Sequence, residues 1–258
     1  MYIKELKMTN IKNLIINADD CGKSLEVNAA IKDAILHGKI SSTTIMANMD
    51  DFSGAVELYK DYNSIISFGW HINLTEGHPL TYSQLLLDSG FYKEDEGKIV
   101  FNGKAFWYKF LNKSMVIEIK KELKAQYEKL CDNGIEVTHA DSHHHIYTAP
   151  CLYFMMPSIL NELHISRCRN IRNYDVSLLS YAARRTWALP FKMSGIKMPN
   201  TFTSFAAYHK APRLRQGKII ELECHPGHPN EIYKKEMEMI YSTDIKEWNA
   251  QLISYKDF

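Results

Sequence analysis

NLIINADDCGKSLEVNAAIKDAILHG, residues 13–38, contains the alternation that decides the fold. Its first five residues form a short β-type run. Ser24 is placed to cap a helix with apolar residues at 27, 31, 34 and 35, and Gly38 to stop it. A strand therefore runs straight into a helix. The rhythm returns in ISSTTIMAN with FSGAVELYKD, in IISFGWHINL, and in SMVIEIKKELKAQYEKLCDNG leading into IEVTHAD. It closes with KIIELECHPG and a helical run over 231–254. Strands alternating with helices predict a parallel sheet covered by helices, either a (β/α) barrel or an open doubly wound sheet.

Residues 75–113 interrupt this pattern with turn residues and aromatics, an excursion expected to be ordered. Phe101, Phe106, Trp107 and Tyr108 within it are candidates for an aromatic platform under a bound ligand or for packing against the barrel. Residues 165–212 are irregular and yield few elements. At 258 residues, 45% of them hydrophobic, the chain suits one domain spanning 1–258. With 31 basic and 30 acidic side chains it has no basic stripe for a phosphate backbone, so nucleic acid is not an expected partner. His209, Lys210, Arg213 and Arg215 read as a solvated basic face rather than a phosphate site.

The first dozen residues carry lysines and no apolar secretory core, and APCLYFMMPSIL is broken by Pro157 and falls short of the roughly 20 residues that span a bilayer. A soluble, cytoplasmic protein without membrane contact is expected. Cys21, Cys131, Cys151, Cys168 and Cys224 form no C-x-x-C pair and read as free thiols. A homodimer is the default assembly, because closed two-fold oligomers are commonest.

Polar clusters follow four of the expected strands: Asp19 and Asp20, His71, Asp141 to His145, and His225. In parallel α/β architectures loops from several strands converge at that edge, and sites are built there. If 141–145 is extended, Asp141, His143 and His145 share one face and Ser142 and His144 the other, so at most half of the run can face one ion. A catalytic divalent metal needs about three protein ligands with positions left open. Asp20, His71 and His143 supply such a set from three strand ends. Asp141, His139 and His145 remain for contacts behind the ligands or with substrate; for His144 a structural role is preferred.

NADDCG, STTIMAN, GWHINLTEGHPL, THADSHHHIYTAP and ELECHPG, in this order, resemble the motifs of the YdjC-like carbohydrate deacetylase family, which includes chitooligosaccharide deacetylases. The resemblance runs from residue 14 to the closing ISYKDF. It implies a distorted (β/α) barrel, Asp20, His71 and His143 as ligands of one divalent ion (Mg2+, Zn2+ or another transition metal), Asp19 as catalytic base and His225 as acid. It also implies an N-acetylated sugar as substrate. Cys21 stands where the family usually has Phe, and Tyr147 where it has His.

Removing an acetyl group from an amide requires an activated water and a protonated leaving amine. Asp19 would accept the proton of the water and His225 would give one to the nitrogen. Cys224 beside His225 does not read as a nucleophile, since neighbours in a strand face opposite ways. Trp70 reads as core. Rival readings are a binuclear amidohydrolase or phosphoesterase, which needs more carboxylates, a ferrous oxygenase using two histidines and one carboxylate, and a non-catalytic sugar- or metal-binding protein.

Overall fold

The computed structural model describes residues 11–174, 177–210 and 218–258. Its strands are β1 (Lys12–Cys21), β2 (Ser42–Ile45), β3 (Ser67–Ile72), β4 (Tyr92–Asp95), β5 (Lys98–Phe101), β6 (Ala140–Ser142), β7 (Thr201–Ser204), β8 (Ile219–Cys224) and β9 (Ala250–Leu252). Along β1, Leu14, Ile16 and Ala18 join the apolar core, whereas Asn17 and Asp19 turn to the other face and hydrogen-bond there. β8 repeats this, with Ile220, Leu222 and Cys224 in the core and Glu221 and Glu223 opposite. The sheet therefore has an apolar outer face covered by helices and a polar inner face.

Six strands pair in parallel in the order β6-β3-β2-β1-β8-β7, and β9 pairs with the first half of β1 beside them. Residues 167–173 join the two edges. Ala140 bridges to Cys168, Arg167 bridges to Lys197, and the Asn173 amide donates to Phe202 O at 3.3 Å. The result is a distorted (β/α) barrel of seven parallel strands with a short irregular seam, rather than a regular eight-stranded one. Room inside is tight. A Cβ at Gly69 would stand 2.5 Å from the ring of His139, so β3 carries no side chain there.

Helices Leu25–Leu36, Phe52–Tyr62, Lys113–Asp132 and Glu231–Ser242 follow the strands as the alternation predicts. Ser24 caps the first by accepting from the Val27 amide, and Gly38 ends its last turn at φ 63°. The run expected to be helical over 231–254 stops at Ser242, where Thr243 takes an extended conformation as the cap. A 3-10 turn at Ile245–Trp248 and left-handed Asn249 then redirect the chain into β9. The excursion is ordered, with helix Gln84–Asp88, the β4–β5 hairpin and helix Ala105–Tyr108. Phe101 and Phe106 are buried in the core, as is Trp70, while Trp107 is half-exposed and Tyr108 exposed.

One expectation fails here. The histidine run is not extended: β6 ends at Ser142 and residues 143–148 coil in tight turns kinked at His144 and His145, which take left-handed φ of 51° and 53°. Arg213, Arg215 and the first ten residues lie outside the described residues. His209 packs on Trp248, and Lys210 is exposed. All five cysteines are free. Among the described residues no helix is long and apolar enough to cross a membrane.

Candidate active site

Asp19 and Asp20 would point apart in an unbroken strand. The pairing of β1 with β2 slips between Ala18 and Cys21, and Asp20 adopts a left-handed φ of 68°, so both carboxylates reach the same pocket. Asp20 Oδ1 lies 3.2 Å from His71 Nε2 and 2.9 Å from His143 Nδ1. Ligand atoms of these three buried residues all fall within 4.8 Å of one another, and those of Asp19, His71 and Asp141 form a second such group.

The first group suits a cation. Asp20 Oδ1 and His71 Nε2 are buried with no hydrogen-bond partner among the described residues, an expensive state unless something else meets them. His71 is already oriented for this. Its Nδ1 is 2.6 Å from Asp141 Oδ1, and Thr44 Oγ1 donates to Asp141 Oδ2 at 3.0 Å, which leaves Nε2 facing Asp20. Burial disfavours charge on this ring, yet Asp141, Asp20 and Asp19 push its pKa up to about 10. Burial likewise opposes ionisation of Asp20, but His143 and His71 hold its carboxyl well below the usual range.

Arg169 organises the rest. The side chain is fully buried and donates to Asp19 through both terminal nitrogens, at 2.7 and 2.6 Å, and to Glu221 through Nε at 2.7 Å. It also lies 2.9 Å from Asp141 and 3.6 Å from Glu223. Burial raises the Asp19 pKa, but the guanidinium outweighs it and keeps the carboxyl well below its ordinary value. Burial pushes Glu221 and Glu223 up to about 7, against the opposing pull of Arg169, which Glu221 meets directly and Glu223 faces at 3.6 Å.

His225 stands across the pocket at the end of β8, its Nε2 4.0 Å from Asp19 Oδ2 and its Nδ1 3.9 Å from Glu236 Oε2. Its ring is 20% exposed and packs on Tyr233, with the ring centroids 4.4 Å apart. Cys224 before it is sealed in the core with its thiol pKa pushed up by burial, as strand alternation requires.

The sequence-predicted residues separate into layers. Asp20, His71 and His143 meet, and Asp19, Asp141 and His225 line the same pocket. His145 turns aside to face Glu223 at 3.7 Å. His144 is exposed and lies against His143 with the rings tilted, 3.9 Å between centroids. His139 lies deeper: it is fully buried, stacks on Tyr255 at 3.6 Å and reaches the pocket only through Asn17, so contact with substrate is closed to it. Trp107 stands on the short helix Ala105–Tyr108, 41% exposed.

Tyr147, in place of the family's histidine, is buried and donates its hydroxyl to Arg169 O at 2.8 Å. Cys21 fills core space beside Asn28. Sequence reading missed Arg169, Thr44, Glu76 and Glu223. For Arg169 a signal exists: a strand reading IIELEC turns Glu221 and Glu223 to the same inner face, and two buried carboxylates require a buried cation.

The sequence profile of the family described as "YdjC-like protein" matches residues 13–251. A carbohydrate deacetylase of Clostridium beijerinckii is 27% identical over 95% of this chain and 99% of its own length. A chitooligosaccharide deacetylase of Yersinia pestis is 36% identical over 84% of this chain and 82% of its own. A solved structure from Enterococcus faecalis V583, provisionally named a cellobiose-phosphate cleavage protein, has a TM-score of 0.75 at 21% identity over 96% of this chain and 98% of its own, and so shares the fold. With the family's profile covering nearly the whole barrel and its motifs converging on one pocket, the chain belongs to the YdjC-like family.

Proposed function

We propose that this protein is a metal-dependent hydrolase that removes the acetyl group from an N-acetylated sugar of the chito-oligosaccharide type. The observation that carries this reading is the convergence of Asp20, His71 and His143, two of whose buried polar atoms lack protein partners, beside Asp19 and His225. The named activities of the Clostridium and Yersinia relatives support the same reaction class.

Asp20, His71 and His143 would hold one divalent ion. Two imidazoles and a carboxylate suit a borderline ion such as Zn2+ better than oxygen-preferring Mg2+. When bound, such an ion polarises a carbonyl and acidifies water. Asp19 is tied to Arg169 and not to the ligand group, and it is held ionised, so it can orient the attacking water and accept its proton. Arg169 fixes the angle of that carboxylate through its fork. Burial opposes charge on His225, but Glu236, Asp19 and Glu223 outweigh it and raise the pKa to about 9, so the ring is an imidazolium at neutral pH. It faces Asp19 from the opposite wall and can give its proton to the departing amine as the C–N bond breaks.

The two ligand groups share His71, and the members of the second are already engaged by protein, His71 Nδ1 with Asp141 and Asp19 with Arg169, which favours a mononuclear centre over the binuclear reading. The test is acetate release from diacetylchitobiose by the full chain. It is expected with added Zn2+ or Mg2+ and expected to vanish with a chelator. Stoichiometric metal uptake without acetate release from any N-acetylated sugar would overturn the proposal.

A further inference from the structure

Each imidazole of the ligand group has its far nitrogen against a carboxylate. For His71 the carboxylate is Asp141, sealed in the barrel. For His143 it is Glu76, whose Oε2 lies 2.8 Å from Nε2, while Nδ1 faces Asp20. Glu76 is 39% exposed, and an exposed glutamate normally needs no fixed place.

Here its backbone is tightly determined. Asn73 Oδ1 accepts from the amides of Thr75 and Glu76 at 3.0 and 3.1 Å, and Asn73 Nδ2 and Asn48 Nδ2 both donate to Glu76 O, at 2.7 and 3.2 Å. Gln126 in turn grips the main chain of Asn73. Gly77 then takes φ 74°, where a Cβ would stand 2.8 Å from Met49 Sδ. The carboxylate is fixed as well: Lys23 Nζ donates to the same Oε2 at 2.8 Å, and the Lys23 amide donates to Asp20 O at 3.0 Å. Asp20, His143, Glu76 and Lys23 thus form a closed ring of contacts linking the loops after β1, β3 and β6.

We infer that Glu76 is a positioning residue of the metal site: by accepting the Nε2 proton of His143 it fixes the tautomer in which Nδ1 carries the lone pair toward Asp20 and His71. A neutral imidazole can offer a lone pair from only one nitrogen, and the hydrogen bond on the other selects which. The two histidines are therefore presented through opposite nitrogens, Nε2 of His71 and Nδ1 of His143, each with its own carboxylate behind it. Lys23 keeps Glu76 from turning to solvent.

This inference rests on the proposed metal site. Its test is Co2+ and Zn2+ binding by the full chain, measured by competition with a chromophoric chelator, together with the Co2+ absorption spectrum at saturation. Glu76→Ala is expected to weaken affinity roughly 10- to 100-fold, the usual cost of losing such a partner. Glu76→Gln, whose amide oxygen can still accept from Nε2, is expected to lose less. The saturated Co2+ spectrum of both variants is expected to keep its shape, because the ligands are unchanged.

Affinity of Glu76→Ala within about threefold of the parent would overturn the inference. So would an altered saturated spectrum, which would make Glu76 a ligand itself. A parent chain that binds neither ion would instead overturn the underlying metal site.

Discussion

Asp141 and His71 sit side by side on β6 and β3 in direct register, and their side chains meet at 2.6 Å beneath the ligand group. Sheet pairing thus places the carboxylate behind the imidazole with no loop involved. Asp141→Asn keeps the shape but supplies an amide that can donate to Nδ1 and select the wrong tautomer. Metal affinity is expected to fall roughly 10- to 100-fold, read by equilibrium dialysis. Undiminished affinity would show that register alone orients His71.

Asp19→Asn is expected to leave metal affinity within a few-fold of the parent and to lower kcat for acetate release by roughly 10²- to 10⁴-fold. Arg169 holds Asp19 outside the ligand group, so binding and turnover separate at this residue. A parallel loss of metal would instead place Asp19 among the ligands.

The pH dependence should carry the signature of His225. With its pKa raised to about 9 against burial by Glu236, Asp19 and Glu223, the proton it donates is present at neutral pH, and kcat is expected to fall as pH rises through about 9. His225→Gln should lower kcat by roughly 10²- to 10⁴-fold and abolish that limb, with metal affinity intact. Because the folded pKa lies above the ordinary 6.5, the group's contribution to stability is fully present below that value and is lost as pH rises through about 9. An unchanged alkaline limb in the variant would assign the acid elsewhere.

Arg169→Met removes the one buried guanidinium that, among the described residues, faces Asp19, Asp141, Glu221 and Glu223. Breaking buried pairs from one side costs about 3–5 kcal/mol, so a large drop in the denaturant midpoint is expected. Arg169→Lys should recover part of the stability and little of the activity, since an ammonium cannot hold Asp19 by a two-pronged contact.

Tyr147→Phe deletes a buried hydroxyl that donates to Arg169 O, with Asn170 O at 3.4 Å beside it, and is expected to cost about 1 kcal/mol in equilibrium unfolding while leaving the metal site loaded. A loss of metal binding in this variant would mean that the hydroxyl governs the ligands and not only the backbone of Arg169.

Much of this site is legible in the residues because strand-end positions follow from a period of two and one helix per strand. That pattern alone gathers Asp19, Asp20, His71, His143 and His225 at one rim. What escaped depends on backbone turns that carry no periodic signal. The slip that lets Asp19 and Asp20 share a pocket is a φ value, and the coil at His143–Thr148 breaks an alternation the sequence appeared free to continue. Arg169 lies in a stretch held by isolated bridges, too short for either period to register. His139 lies below the site and meets it only through Asn17, because a strand's inner face extends below the site as well as into it, and depth along a barrel is not encoded in alternation.

The main chain of Arg169 donates to Ala140 O at 3.0 Å, so the residue that neutralises the acids also belongs to the last seam of the cylinder. Shape and charge balance are in this way completed by a single segment. Until 167–173 docks, the interior holds Asp19, Asp141, Glu221 and Glu223 without their shared counter-ion, and closing the wall is opposed by their mutual repulsion. Once it docks, the same segment completes the wall and supplies the counter-ion.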